Sequence, residues 1–278
     1  MKVFAIGDLH LSGNPPTKPM DIFGPHWDNH WSRIKEDWID RVTDEDIVFL
    51  VGDMSWALRL DEAACDLQEI ASMPGKKYMI RGNHDYWWAS ANKMRNLMGD
   101  AITFLQGHGT AELIQTEEGP RIIAFGGTRA YLCPGDSHFT PETDQSIYDR
   151  ELMRTEAALQ EMNKAVEILR EEITAEAKVD ITKLNKADTT DSDKAYPSAI
   201  DIDSIPVTKI LLLHYPPFNE SNAPSGFTDL IEQYKVDTCI FGHLHDQISF
   251  KRIPKEFGST KLELVSADYL DFRLKEIM

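Results

Sequence analysis

Short apolar runs alternate along the chain with segments of helical spacing. Near-continuous hydrophobicity over a few residues is typical of strands buried on both faces of a sheet. Such runs occupy 2–7, 46–52, 76–82, 121–127, 209–214 and 238–243. Segments with the spacing of helices lie at 31–42, 61–72, 88–98 and 226–235. This alternation predicts a layered α/β domain.

The C-terminal part of the chain has a different pattern. Residues 247–253 and 260–267 come closer to an alternation with a period of two. This period indicates strands with one buried face. We therefore expect two antiparallel strands added to the edge of the sheet.

Three further segments depart from the alternation. Residues 12–31 are rich in Pro, His and Trp and are long for a strand-to-helix connection, which favours a functional loop or lid. Residues 148–176 carry an apolar stripe typical of a helix that packs on its own domain; a helix for a partner is the less favoured interpretation. Residues 185–204 are polar and acidic and predict a mobile loop. We expect 130–206 to be an insertion into a single domain spanning 1–278.

Composition narrows the classes of function. The chain has 278 residues, with 29 basic and 46 acidic side chains and a formal charge of −17. This charge disfavours a protein that holds long nucleic acid by its phosphates, which needs basic stripes. It also disfavours an electrostatic membrane-surface binder.

Location is an expectation from three features. The cysteines Cys65, Cys133 and Cys239 are widely spaced and favour reduced thiols. No signal peptide is evident, and no stretch approaches the ~20 apolar residues of a membrane-spanning helix. We expect a cytoplasmic protein.

Polar residues collect where the apolar runs end. In an open α/β sheet the carboxyl ends of the strands share one edge, and ligands bind outside it. Five separate segments would therefore bring their side chains to one rim. These side chains are Asp8, His10, Asp53, Asn83, His84, His214, His243 and His245.

The residue types at this rim suit a metal site. Carboxylate oxygen, amide oxygen and neutral imidazole bind Zn, Mn or Fe, and no thiolate is placed to join them. The glycines before Asp53, Asn83 and His243 allow close backbone approach. Without His84 the set offers more donors than one ion uses, which favours two ions sharing a bridging carboxylate. Two ions ~3.5–4 Å apart can clamp the attacking and leaving oxygens of a displacement at phosphorus.

The motifs D-x-H (8–10), G-D (52–53), G-N-H-D (82–85), H (214) and G-H-x-H (242–245) occur in this order. Each motif alone is weak, but the ordered set is highly specific. At this point the sequence resembles the calcineurin-like metallophosphoesterase superfamily. The resemblance covers most of the chain apart from the insertion and the C-terminal tail. It implies a layered sandwich of mixed β-sheets flanked by helices, and a hydrolase that acts on phosphate esters.

The resemblance also implies a role for each matched residue. Asn83 would contact a phosphate oxygen in addition to binding metal. His84 would lie outside the metal shell, donate to the phosphate and protonate the leaving group, while a metal-bridging hydroxide attacks phosphorus. The first ion would be bound by Asp8, His10, Asp53 and His245, and the second by Asp53, Asn83, His214 and His243.

Several neighbouring residues leave two interpretations open. Asp85 would orient His84 or cap the next helix, and capping is favoured. Arg129 follows a strand and could grip a phosphate or be an ordinary surface arginine. His26 and His30 could line the substrate pocket or belong to an aromatic loop that packs on the domain.

The leading hypothesis is a dimetal phosphohydrolase acting on a phosphomonoester or phosphodiester. The acidic charge favours a small substrate, such as a nucleotide or a sugar phosphate. A nuclease of the same superfamily is the second interpretation, and it would need a local basic groove. A non-catalytic scaffold that keeps the fold is the third, disfavoured because every motif residue is present. The insertion could overhang the site or mediate assembly into a homo-oligomer.

Overall fold

The computed structural model of the protein describes residues 1–187 and 202–278. Most of the loop predicted at 185–204 lies outside these described residues. The strands are β1 (Val3–Ile6), β2 (Ile47–Val51), β3 (Lys76–Ile80), β4 (Ile102–Phe104), β5 (His108–Thr116), β6 (Gly119–Thr128), β7 (Val207–Leu213), β8 (Thr238–Phe241), β9 (Glu256–Phe257), β10 (Thr260–Leu264) and β11 (Lys275–Glu276).

Six α-helices accompany these strands within the described ranges. They are α1 (His30–Arg41), α2 (Leu60–Ala71), α3 (Ala91–Met98), α4 (Pro141–Ala187), α5 (Gly226–Tyr234) and α6 (Gln247–Arg252). Short 3-10 helices occupy Met20–Phe23, Pro25–Trp27 and Ile202–Ser204. None of these helices is both long enough and apolar enough to cross a bilayer.

The strands form two mixed sheets. The first has the order β11-β1-β2-β3-β4, with β1 to β4 parallel and β11 antiparallel at its edge. The second has the order β5-β6-β7-β8-β10-β9. Its central strands β6, β7, β8 and β10 run parallel, while β5 and β9 are antiparallel edges.

Alternate residues of β1 show how the layers are built. Val3 and Ala5 face the second sheet and share a core with Phe125 and Leu212. Phe4 lies on the other face, in a core with the buried residues of α1, α2 and α3. Helices α4 and α5 cover the outer face of the second sheet. Strands buried on both faces explain the continuous apolar runs, and the predicted α/β sandwich is confirmed.

The long helix α4 packs on its own domain, as the favoured interpretation of its apolar stripe predicted. Leu159 and Met162 are buried in the core beneath it. Its backbone comes so close to β5 that a Cβ on Gly109 would lie 2.3 Å from the Ala158 carbonyl oxygen. The helix extends beyond both predicted ends, 148 and 176.

Three predictions about the elements were wrong. Residues 247–252 are helix α6 rather than a strand, because the Asp246 side chain accepts the backbone N–H of Ile248 and Ser249 and caps a helix. Strand β10 pairs parallel to β8, and only its short neighbour β9 is antiparallel. The third helix begins at Ala91 instead of 88, since residues 82–88 fold around the Asp85 carboxylate.

Candidate metal centre

The carboxyl ends of strands from both sheets meet at one rim. Strands β1, β2 and β3 of the first sheet and β7 and β8 of the second each end at a predicted motif. All seven predicted ligands come together there. Two groups of three residues could each hold a metal ion, because the donor atoms within each group lie within 4.8 Å of one another. The groups are Asp8, His10 and His245, and Asp8, Asp53 and His214.

Asp53 lies between the donors of the two groups. Its Oδ2 is 4.0 Å from His10 Nε2 and 3.5 Å from His214 Nε2. Its Oδ1 accepts the backbone N–H of His84 at 2.7 Å. One carboxylate thus connects donors from three separate strand ends.

The amide of Asn83 meets two histidines on one side of the centre. Asn83 Oδ1 is 2.7 Å from His214 Nε2 and 2.9 Å from His243 Nδ1. On the other side, His245 Nε2 lies 3.4 Å from His10 Nε2 and 3.4 Å from Asp8 Oδ1. Each side therefore gathers oxygen and nitrogen donors around a common point.

The backbone at the rim adopts an uncommon conformation. Asp8, His10, Asp53 and His243 have positive φ angles of 58°, 50°, 57° and 73°. Non-glycine residues rarely occupy this region, and such strain clusters at functional sites. The fold holds these four side chains in place at a cost in backbone energy.

The motif glycines allow the carboxylates to approach the neighbouring backbone. A Cβ on Gly82 would lie 2.0 Å from Asp53 Oδ1, and a Cβ on Gly242 would lie 2.4 Å from Asp8 Oδ2. A Cβ on Gly52, whose φ is +84°, would lie 2.7 Å from Gly82 Cα. The predicted close approach at these glycines is confirmed.

The four histidines at the centre divide into two electrostatic classes. Burial lowers the pKa of His10 to about 4 and that of His243 to about 3, so both rings are neutral. Burial also opposes a charge on His214 and His245, but nearby carboxylates outweigh it. Asp53 raises the pKa of His214 to about 9, and Asp8 raises that of His245 to about 10. The centre thus holds positive charge against its carboxylates.

These residues fit a site for divalent cations. The buried Nδ1 of His10 has no hydrogen-bond partner among the described residues. Neutral imidazole, carboxylate and amide oxygen are the donors that Mn, Fe and Zn accept, and no described cysteine belongs to the set. Bound cations would replace the protons that His214 and His245 now hold beside Asp53 and Asp8.

Comparison with known proteins agrees with this geometry. A family model described as calcineurin-like phosphoesterase matches residues 1–247, a range that contains all five motifs. The chain belongs to this family. No curated protein matches the chain. Membership of this family supports the assignment of the chain as a metal-dependent phosphoesterase.

The solved structures that are similar to this chain have low sequence identity to it. Calcineurin-like phosphoesterase YfkN from Bacillus subtilis is 13% identical, with a TM-score of 0.47 over 100% of this chain and 88% of that one. A protein of unknown function from Aquifex aeolicus is 12% identical, with a TM-score of 0.45 over 99% and 95%. Purple acid phosphatase from yellow lupin seeds is 15% identical, with a TM-score of 0.38 over 88% and 38%.

Two predicted ligands of the centre are oriented by contacts behind them. His214 Nδ1 lies 3.0 Å from the Val51 carbonyl oxygen, so its Nε2 faces the centre. His245 Nδ1 lies 3.0 Å from Asp268 Oδ1. Such carboxylate and carbonyl partners fix the tautomer of a metal-binding histidine. Sequence reasoning missed Asp268, which belongs to no motif and is one ordinary carboxylate after a strand.

His84 lies beside the predicted ligands and contacts an aromatic side chain. Its ring centroid is 4.4 Å from that of Trp56, which also stacks on His10 at 4.6 Å with an interplanar angle of 20°. Burial lowers the pKa of His84, although the Asp53 charge opposes the change. Trp56 therefore connects the predicted acid to a predicted ligand.

The interpretation of Asp85 as a helix cap was wrong. Its buried carboxylate accepts the backbone N–H of Asp53, Met54 and Gly82 at 2.8–2.9 Å and the indole N–H of Trp87 at 3.0 Å. These bonds explain why the chain turns here instead of starting a helix. Burial raises the pKa of Asp85 to about 6. The carboxylate supports the turn at Asp53. None of these hydrogen bonds involves the His84 side chain, so they do not support the predicted role of Asp85 in orienting His84.

The residues with two open interpretations lie around the centre. The Arg129 guanidinium lies 5.6 Å from the Tyr131 ring centroid. Burial raises the pKa of Tyr215, and the Arg129 charge opposes this change. His30 Nε2 lies 3.0 Å from the Leu9 carbonyl oxygen, while His26 lines a cavity of about 450 Å³ in front of the centre. The first loop thus packs on the domain and also lines a pocket.

Proposed function

We propose that the protein is a phosphohydrolase that uses two divalent cations, Mn, Fe or Zn, to cleave a phosphomonoester or phosphodiester bond of a small substrate. The observation that supports two cations most directly is the position of Asp53 Oδ2, between His10 Nε2 at 4.0 Å and His214 Nε2 at 3.5 Å. A carboxylate oxygen between two groups of donors is suited to bridge a pair of ions.

The proposed ligands follow the two sides of the centre. The first cation would be held by Asp8, His10, Asp53 and His245. The second would be held by Asp53, Asn83, His214 and His243. When bound, the cations supply Lewis-acid stabilisation of the charge that develops on the phosphoryl oxygens.

His84 is the proposed general acid. Its ring lines the cavity in front of the centre, so it can reach the oxygen of a leaving group there. The pKa of His84 is lowered by burial in the free protein. A bound phosphate brings negative charge next to the ring and favours its protonated form. His84 and the amide of Asn83 would both hold the phosphate, with Arg129 as a further contact from the Tyr131 side.

The size and charge of the site favour a small substrate. The cavity in front of the centre measures about 450 Å³ and is lined by Met20, Phe23, Trp27 and Trp56. A polynucleotide needs an extended basic surface, and the chain carries a formal charge of −17. A nuclease stays the second candidate function, and a non-catalytic scaffold stays the third.

Three other features stay predictions. They are the cytoplasmic location, the assembly into a homo-oligomer and the insertion at 130–206.

A metal and substrate panel tests the proposed function. The protein is loaded separately with Mn²⁺, Zn²⁺ or Fe²⁺, its metal content is measured, and hydrolysis of p-nitrophenyl phosphate and its bis-ester is followed. We expect about two ions per chain and metal-dependent hydrolysis. Asp53→Ala should lose both ions, and His84→Ala should keep them and lose turnover by roughly a hundredfold or more.

A matched histidine variant controls for the loss of any imidazole. His108 lies on the surface beside Glu161 and belongs to no motif, so His108→Ala should retain metal and turnover. No hydrolysis of any ester by the metal-loaded protein would contradict the proposed function. Unchanged turnover in His84→Ala would contradict the role of the acid alone.

A further inference from the structure

Two cavities adjoin the predicted metal centre, and His243 lines both. The acid-side cavity is the 450 Å³ space that contains His84 and His26. The tyrosine-side cavity measures about 330 Å³. Its walls include Tyr131, Tyr215, Phe218, Leu244, Ile248 and Ile253. A phosphate held at the centre would therefore adjoin both cavities.

The position of His84 decides which part of a substrate enters which cavity. The leaving group needs a proton donor within hydrogen-bond reach of its oxygen. Among the described residues, His84 lines the acid-side cavity and not the tyrosine-side cavity. The leaving group therefore belongs on the acid side. What remains for the other cavity is a second substituent on the same phosphorus, which a phosphomonoester does not have.

The aromatic walls of the tyrosine-side cavity suit a planar ring. The Tyr215 ring lies 4.0 Å from the His243 ring, centroid to centroid, at an interplanar angle of 38°. Flat aromatic walls favour a planar group by stacking.

Carboxylates at the rim of this cavity discriminate against an anionic group. Asp136, Glu220 and Asp246 all line it, against the single guanidinium of Arg252 among the described lining residues. Asp136 accepts the backbone N–H of Cys133 at 2.8 Å and of Glu220 at 2.7 Å, which fixes it at the wall. A second phosphate in this cavity would meet like charges, whereas an uncharged ring would not.

We propose that the tyrosine-side cavity binds the non-leaving group of a phosphodiester, and that this group is an uncharged ring system of the nucleoside type. The inference rests on the proposed function and names its substrate class. In the reaction one water is consumed, the P–O bond to the leaving group breaks, and a P–O bond to the water oxygen forms. The products are the protonated leaving group and a phosphomonoester of the retained group. Tyr131 and Asp136 come from the start of the predicted insertion, which gives that segment a role in specificity.

Three esters with one leaving group test the inference. They are p-nitrophenyl phosphate, methyl p-nitrophenyl phosphate and the p-nitrophenyl ester of thymidine 5′-phosphate, each assayed with the Mn²⁺-loaded full chain. We expect kcat/KM for the thymidine diester to exceed that for the methyl diester by roughly tenfold or more, the factor that a filled pocket supplies. The same bond is broken in all three, so a difference reports the non-leaving group.

A variant that fills the tyrosine-side cavity provides the second arm. Ile248 is 61% exposed at its rim, so Ile248→Trp should fold and occupy the space. We expect the preference for the thymidine diester over the methyl diester to fall roughly tenfold, mainly through KM. Ile39→Trp is the matched control, because Ile39 is 62% exposed on α1 and outside both cavities, and it should keep the wild-type preference.

The outcomes separate this inference from the proposed function. Hydrolysis of all three esters with equal kcat/KM for the two diesters would overturn the inference and leave the hydrolase intact. A preference that Ile248→Trp leaves unchanged would also overturn it. Absence of hydrolysis of every ester would overturn the proposed function, and the inference with it.

Discussion

The carboxylate of Asp85 accepts the backbone N–H of Asp53 at 2.9 Å, across 32 positions of sequence. The second carboxylate oxygen accepts the N–H of Met54 at 2.9 Å. Asp53 itself has a φ of 57°, a conformation that costs energy for a non-glycine residue. Asp85 thus stabilises the strained turn that presents the proposed bridging carboxylate.

Asp85→Asn should destabilise the protein and weaken metal binding together. An amide places an N–H₂ group where two N–H donors converge, and bonds to a buried charged group are worth about 1.5–3 kcal/mol each. We expect the free energy of unfolding to fall by about 2–4 kcal/mol, measured by urea denaturation of the metal-free protein.

The exposed carboxylate of Asp246 provides the control for Asp85→Asn. Asp246 caps α6, so Asp246→Asn keeps a good capping residue and should change stability by less than about 0.5 kcal/mol. Equal stability of the Asp85 variant and the wild-type protein would show that its hydrogen bonds do not hold the turn.

Two glycines beside site carboxylates should respond differently to an added methyl group. Gly82→Ala would place a Cβ 2.0 Å from Asp53 Oδ1, so the carboxylate or the turn must move. Gly7→Ala places its Cβ 3.4 Å from Val51 Cβ, an ordinary contact, directly before Asp8. We expect Gly82→Ala to lose at least about tenfold in Mn²⁺ affinity and Gly7→Ala to lose less, by metal titration. Equal affinity in the two variants would contradict the close-packed geometry.

The positions of the site residues were predictable because strand ends determine where side chains meet. Asp8, Asp53 and His214 each follow a buried apolar run, and parallel strands bring such ends together. The sequence did not reveal that two sheets share the rim. It also did not reveal the partners of Asp85 and Asp268, since those contacts join segments whose packing has no local signature.

In the C-terminal part, local hydrogen bonds determine the secondary structure, and the hydrophobic pattern predicted it wrongly. The alternation at 247–253 suits a strand, but Asp246 supplies the acceptor for two N–H groups and starts a helix. Strand β10 then pairs parallel to β8, a choice that depends on the path of the preceding turn and not on hydrophobic period. Period alone does not distinguish parallel from antiparallel pairing.

Metal loading should release protons from two histidines. The pKa values of His214 and His245 are raised to about 9 and about 10, so both are protonated near pH 7 in the metal-free protein. A cation binds the neutral ring, and its binding must displace the proton. Apparent metal affinity should therefore rise with pH up to the region of these pKa values.

Calorimetry in two buffers of different ionisation enthalpy measures this release. We expect close to two protons per fully loaded chain near pH 7. His245→Gln removes one titrating ring and should reduce the count by about one, whereas His108→Ala should not change it. Metal uptake without proton release would contradict the raised pKa values of these two rings.

Trp56 should act on turnover through the orientation of His84. Its ring lies 4.4 Å from that of His84 and stacks on His10 at 4.6 Å, centroid to centroid, and its indole N–H lies 3.3 Å from the Met20 sulfur. We expect Trp56→Ala to free the His84 ring and to lower kcat. The loss should be about tenfold larger for phenyl esters than for p-nitrophenyl esters, because poor leaving groups depend more on a proton donor. Trp56→Phe keeps an aromatic ring against His84 and should recover most of the difference. An equal loss with both leaving groups would mean that Trp56 only supports the cavity wall and does not position the acid.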